Sequence, residues 1–365
     1  VILAGEDHQI DDSYNSVIIG GQDSDFKAGG GNELFYDSSI IGGRDNVLFI
    51  AGERSSILGG GGNTITGEYR TTFFSAITTN NNTIIGGTGN TLNKTLDSGI
   101  FGGKKNNILS QERSLIIGGS GNTLNGYPSN NPPTVYYGSD NVILGGVGNE
   151  IENGVNRSAI IAGTNNYIET ENGPINGVIS GGKDNRIQIV LGNDDGVFIG
   201  GGINNDILGY DGNPNTSAII GGSGNTIDDF SNSVIIGGKN ITATTNDTVY
   251  VPNLEVTGQA YTPIYDNLTG GTSFVPDWNN SNVQILTLSG DTNVSGGTST
   301  MKAGATYTMI IKQSNGGTHN ITWDSTYKWE AGSAPSLTIA DGSVDIITFI
   351  CDGTNLYGLI AKDFQ

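Results

Sequence analysis

A chain of 365 residues with 35% hydrophobic content can bury a substantial core and is long enough for two or three domains. Its 59 glycines come with only 9 prolines and without a strict Gly-X-Y period, which excludes collagen. Lys and Arg number 16 against 36 Asp and Glu, and the net charge of −20 repels phosphate backbones and anionic headgroups, so nucleic acid is excluded as a partner.

The first 245 residues are a repeat. "SVIIGG" occurs at Ser16 to Gly21 and again at Ser233 to Gly238. Between them stand "SSIIGGRDNVL" from Ser38, "SSILGGGGNTI" from Ser55, "NTIIGGTGNTL" from Asn82, "SGIFGGKKNNI" from Ser98 and "SLIIGGSGNTL" from Ser114. "NVILGGVGNEI" from Asn141, "SAIIAGTNNYI" from Ser158, "GVISGGKDNRI" from Gly177 and "SAIIGGSGNTI" from Ser217 continue the series. A looser copy, "VFIGGGINNDI" from Val197, is ambiguous in register by one residue. The shortest spacing of glycine pairs, Gly86 to Gly102 to Gly118, is 16 residues, and longer spacings hold inserted loops. Such self-similarity predicts a parallel β-solenoid whose coil is a strand, a GGxxN corner, a second short strand and a return.

Each position has a physical reason. The aliphatic residue two before the glycine pair, with Phe198 in the looser copy, and the Ile or Leu after the Asn suit a stacked interior ladder. Asn46, Asn63, Asn90, Asn106, Asn122, Asn149, Asn166, Asn185 and Asn225 are expected to stack as an amide ladder bonding the corners. Neighbours on a strand point to opposite faces. The residue directly before the glycines therefore points outward, yet it reads Ile19, Ile41, Leu58, Ile85, Phe101, Ile117, Leu144, Ile161, Ile220 and Ile236. Strands apolar on both faces are buried on both. A parallel homotrimer covering this stripe is the expectation.

"GGSGNTL" and "GGTGNTL" imitate a calcium-binding nonapeptide, but Thr stands where its ligand Asp belongs and other corners carry Lys or Arg, so no metal is expected. The acid pairs Asp11-Asp12, Asp194-Asp195 and Asp228-Asp229 lie in returns and read as solvated turns rather than glycosidase carboxylates. One cysteine, Cys351, sits in an apolar run, and His8 and His319 stand apart, so metal and triad chemistry are poorly supplied and neither cofactor nor enzymatic activity is expected. No run approaches a membrane span, so no membrane insertion is expected. Val1 opens in the middle of a repeat without Met, as a segment of a longer or processed protein would.

The "NSVIIGG" and "SAIIGG" units resemble the head repeats of YadA-type trimeric adhesins, over roughly residues 1 to 245. That resemblance implies a left-handed parallel β-roll with three chains side by side. The same arrays also resemble repeats in bacteriophage tail fibres.

After Gly238 the pattern fails, and residues 246–278 read as cap and neck. Residues 279–365 read as a small antiparallel β-sandwich with strands in "VQILTLSG", "ATYTMIIKQ", "HNITWD", "SVDIITFICDG" and "NLYGLIAKDF", the last two joined at Asp352-Gly353. "ITWDSTYKWEAGSAPSLT" with "VDIITFICDGTNLYG" is similar to a C-terminal module of phage tail-fibre and other virion proteins. Trp323, Tyr327 and Trp329 invite a carbohydrate-binding reading beside the blander one of core packing. Tyr127, Tyr136 and Tyr137 lie in an inserted loop, where binding often concentrates. The expectation is a non-enzymatic, homotrimeric fibre subunit of a virion appendage, extracellular, meeting other tail proteins and a host-surface glycan or protein. A bacterial trimeric adhesin fragment and a fibre-borne polysaccharide depolymerase are the alternatives.

Overall fold

The computed structural model describes all residues except 12, 28–34, 50–51, 68–78, 127–137, 153–154, 171–174, 191–193, 210–215, 270–271, 315 and 365. Its contacts divide the chain into two units, Val1–Leu254 and Glu255–Gln365.

In the first unit each coil contributes one short strand to each of two long sheets. The residues before the glycine pair form a 14-stranded sheet running from Ile2–Leu3 to Val249–Tyr250, and those after the Asn a 12-stranded sheet from Gln9–Ile10 to Thr226–Asp228. Neighbouring strands are parallel and in step, as in Ile40 beside Ile57 beside Ile84. This is the parallel solenoid that the repeat predicts. Ile18, Ile40, Ile57, Ile84, Ile100 and Ile116 begin one interior row, and Phe26, Leu48, Ile65, Leu92, Ile108 and Leu124 the other, all buried. Burial of such a side chain stabilises by about 1.5–3 kcal/mol, so two per coil make a core that is continuous along the axis.

One expectation is corrected at the loose copy. Ile199, not Phe198, is the interior residue, paired between Ile179 and Ile219. A register shift between Ile175 and Gly177 absorbs the extra residue, so the corner uses Gly201 and Gly202.

The corner explains the glycine pair. The first glycine, such as Gly118 at φ 70°, has open space where a Cβ would stand, whereas a Cβ on Gly119 would lie 2.4 Å from the Gly146 carbonyl oxygen and from Asn122 Nδ2. The first position therefore needs only a left-handed backbone, which Ala4 and Ala162 also adopt. At the second position a side chain has no room.

Two buried polar ladders flank the core. At the first corner the Oδ1 of one Asn accepts the backbone N–H of the Asn one coil on, as Asn122 does from Asn149 at 3.0 Å, and the last, Asn225, accepts that of Ile241. The Asn122 Nδ2 donates to glycine carbonyls of its own and the next coil. Within this ladder side-chain amides bond one another at Asn149, Asn166, Asn185 and Asn205, and its other bonds among the described residues run between side chain and backbone. Asn205 is a member that the ambiguous register hides. The second ladder lies at the other corner, where Ser98, Ser114, Asn141 and Ser158 follow one another, each accepting the next residue's backbone N–H. It is the reason for the Ser or Asn that opens "SVIIGG" and "NTIIGG".

Past the last glycine pair, Ala243 and Ile241 continue the core, and the Tyr250 hydroxyl accepts N–H bonds from Thr244 and Thr245 at 2.7 and 2.8 Å. Burial alone raises this phenol, but the hydrogen bonds from Thr244 and Thr245 together outweigh it and bring the pKa down to about 8.

The second unit is mixed rather than antiparallel. Ile264–Thr269, Val283–Leu288 and Thr306–Gln313 pair in parallel, and so do Ser273–Phe274, Thr292–Val294 and Ile321–Trp323 in a second sheet. Each long strand is followed by an excursion into the small sheet and a return in the same direction, the crossover that parallel pairing requires. The unit thus starts as a short coil of its own, beginning at residue 264 within the segment that the sequence reads as neck. Val344–Cys351 and Leu356–Phe364 close it as an antiparallel hairpin. Asp352 pins the hairpin loop by accepting N–H bonds from Thr354 and Asn355, which hold its carboxyl well below the usual range.

Candidate functional site

The two solenoid faces differ in kind. On the first sheet the outward residues form two columns. One is the expected stripe, Ile19, Ile41, Leu58, Ile85, Phe101, Ile117, Leu144, Ile161, Ile220 and Ile236, each between 37% and 50% exposed. Ser180 and Gly200 interrupt it. The other column runs Val17, Ser39, Ser56, Thr83, Gly99, Leu115, Val142, Ala159, Val178, Phe198, Ala218 and Val234. Neither column holds a charged residue, in a chain of net charge −20. With coils about 4.8 Å apart, an uncharged face some ~60 Å long results.

The second sheet carries charge outward toward its two ends, where Asp25, Lys27, Glu150, Glu152, Glu169, Arg186, Asp206 and Asp228 project from it, while its middle strands present uncharged residues such as Thr64, Thr66, Thr91, Asn93 and Thr123. Tyr167 donates its hydroxyl to Glu152 at 2.9 Å, Gln188 bonds Glu169 at 2.8 Å and Arg186 pairs with Asp206 at 3.3 Å. Burial, then hydrogen bonding and repulsion from Glu152 and repulsion from Glu169, raise the Glu150 carboxyl to about 7. A raised carboxyl contributes stability that is complete below its unfolded value of 4.5 and is lost as pH rises through 7. The melting temperature of the shaft should fall between pH 5 and pH 8, and Glu150→Gln should flatten that fall; an equal slope in the variant would assign the effect elsewhere.

The calcium-like corners have another explanation. The residue before the ladder Asn is left-handed whether it is Gly121, Lys105 or Asp45, so the glycine of "GGSGN" serves backbone geometry. Among the described residues no cluster of His, Cys, Asp or Glu is arranged to hold a metal ion. Asp229 is likewise left-handed in its turn, and burial first, then repulsion from Asp229, raises Asp228. Asp12 lies outside the described residues.

Tyr327 is 4% exposed and donates its hydroxyl to the Ser295 carbonyl at 3.2 Å. Trp323 meets the Tyr327 ring edge-on at 4.6 Å and Trp329 at 5.2 Å, and both tryptophans are half-buried against the core that contains Phe349. A Cβ on Gly358 would stand 2.5 Å from Trp329, so that glycine makes room for the indole. The three rings form one packed group in which Tyr327 offers no open face. Tyr127, Tyr136 and Tyr137 lie outside the described residues.

The geometry thus gives a regular parallel solenoid in the first unit and a small mixed β-unit in the second. Residues 270–356 match the family described as "Putative phage tail fibre C-terminal domain", and the match falls within the second unit. In that unit the chain is phage tail-fibre-like, which supports a structural role in a phage fibre and a place in the virion tail. No curated protein matches the chain.

Proposed function

We propose that the chain is a non-enzymatic subunit of a homotrimeric phage tail fibre that reaches and binds a host surface. The observation that carries this reading is the uncharged outward face of the first sheet. Completing the burial of one half-exposed aliphatic side chain stabilises by about 1 kcal/mol, and the column supplies one from most coils. A matching apolar row with the same coil spacing and the same gaps at Ser180 and Gly200 is offered by a parallel second copy. Cyclic symmetry about the fibre axis then lets each copy present its face to its neighbours. Three aligned copies also multiply weak host contacts into avid attachment without further chemistry.

Sedimentation equilibrium of the purified chain tests the assembly, with three times the 37.9 kDa chain mass expected. A monomer at micromolar concentration would overturn it. Attachment is tested with the fluorescently labelled protein on a panel of bacterial strains. Saturable binding to the strains that the parent phage infects, and competition with phage adsorption, are expected; absence of binding to every infected strain would refute the attachment role.

A further inference from the structure

We infer that the outer face of the C-terminal sheet is a second self-association surface, on which copies of this chain meet through the C-terminal unit itself. The strand registers place outward residues in rows across five strands. One row is Ile264, Val283, Thr308, Thr348 and Leu359. The next is Asp266, Ile285, Ile310, Ile346 and Ala361, and Lys312, Val344 and Phe364 follow it. At the other end Ile350 stands beside Tyr357. The inward residues of these strands, among them Leu286, Met309, Ile347 and Phe349, fill the unit's own core. The sheet is therefore largely apolar on both faces, and the inward one is covered by the unit's own core.

The uncovered side chains are large. Ile264, Ile350 and Leu359 are 60%, 59% and 67% exposed. Five strands about 4.8 Å apart and six residues long at ~3.3 Å each make a face of roughly 20 Å by 20 Å. A contiguous apolar patch of several hundred Å² on a soluble protein marks an interaction site.

The occupant is a second copy for two reasons. The charged groups among the face's described side chains are Asp266 on the edge strand and Lys312 on a central one, with no salt-bridge partner for either among the described residues. A face carrying one acid at its edge and one base near its centre is complementary to itself when the edge of one copy meets the centre of the next. The second reason rests on the trimeric reading of the shaft. Parallel shafts tether the C-terminal units of all copies together through the same linker and so raise their effective concentration.

The test is a full-chain comparison by sedimentation. Ile117→Lys with Ile220→Lys breaks the shaft face, Ile350→Lys with Leu359→Lys breaks the C-terminal face, and a third protein carries all four. Trp278, Trp323 and Trp329 all lie in the C-terminal unit, so their fluorescence reports whether it stays folded. The shaft variant is expected to remain associated and the four-fold variant to be monomeric at the same micromolar concentration. In the shaft-variant background Lys312→Asp, on the outward side of its strand, should weaken association at least tenfold, and adding Asp266→Lys should restore it. A shaft variant that is already monomeric while wild type is trimeric would overturn this inference alone. A C-terminal variant that is folded and monomeric would instead overturn the shaft reading and uphold this one, and a monomeric wild type would overturn both.

Discussion

Gly119→Ala should unfold the middle of the shaft, while Gly118→Ala, one residue away, should leave it folded. Both positions are left-handed, at φ 77° and 70°. An alanine in that region costs about 1–2 kcal/mol, which the shaft tolerates, since Ala162 occupies the equivalent first position at φ 65°. The Gly119 Cβ meets more than a torsional penalty. It would sit 2.4 Å from the Gly146 carbonyl oxygen of the next coil and 2.4 Å from Asn122 Nδ2, with a backbone carbon at 2.9 Å. Backbone of a stacked coil cannot swing aside as a flexible side chain can, so the coils must separate and the ladder bonds between them break. A loss above ~4 kcal/mol is expected, the range associated with buried networks and strained backbone. Because each coil touches chiefly its neighbours, the damage should appear as a split or early-melting transition by circular dichroism. Equal melting of the two variants would mean that the corner is governed by φ alone and that coil-to-coil contact at the second glycine is looser than the structure places it.

The shaft was legible in the sequence because a solenoid writes its contacts as a period. Every coil repeats the demand for an inward aliphatic at Ile84, Ile100 and Ile116 and an amide at Asn90, Asn106 and Asn122, and repetition separates these demands from chance. The same logic failed where the period slipped: three consecutive glycines at Gly200 to Gly202 permit two registers, and only pairing with Ile179 and Ile219 selects Ile199. The serine ladder escaped notice for a different reason. Ser98 and Ser114 look like solvent-facing residues, and nothing local shows that their hydroxyls accept a backbone N–H from another coil. In the second unit the parallel winding was hidden because its coils share no motif. Strand positions such as Val283–Leu288 follow from alternation, but direction depends on the crossovers, which carry no sequence signature. The outward stripe was legible as a violation, an apolar residue where alternation calls for a polar one. The C-terminal outer face, by contrast, mixes Thr308 and Thr348 with Ile310 and Ile346, so it reads as an ordinary half-buried sheet until the strands are placed side by side.

Asn122→Leu should destabilise the shaft by about 3–5 kcal/mol although leucine matches the neighbouring core chemically, because the loss of buried hydrogen-bond partners outweighs added apolar burial. Asn122 is fully buried. Its Oδ1 takes the Asn149 N–H at 3.0 Å, and its Nδ2 serves the carbonyls of Gly118 and Gly146 at 3.5 and 3.3 Å. Leucine removes the acceptor and leaves the Asn149 N–H without it in a dry interior, where an unpaired backbone group costs about 1–3 kcal/mol. It also withdraws the donor from the Gly118 carbonyl and places a branched apolar group against the glycine corner. Asn122→Asp separates these contributions. The carboxylate keeps an acceptor for Asn149 but turns a second oxygen toward two carbonyls, so burial and repulsion favour its protonated form, which can again donate. The Asn122→Asp variant should therefore be as unstable as the Asn122→Leu variant at pH 8 and recover part of the loss near pH 4, whereas the deficit of the leucine variant relative to wild type should be far less pH-dependent. Denaturant unfolding of the three proteins at both pH values measures this. If the Asn122→Asp variant shows no recovery on acidification, the Nδ2 bonds to glycine carbonyls contribute little, and the ladder is held by the Oδ1 to backbone bonds alone.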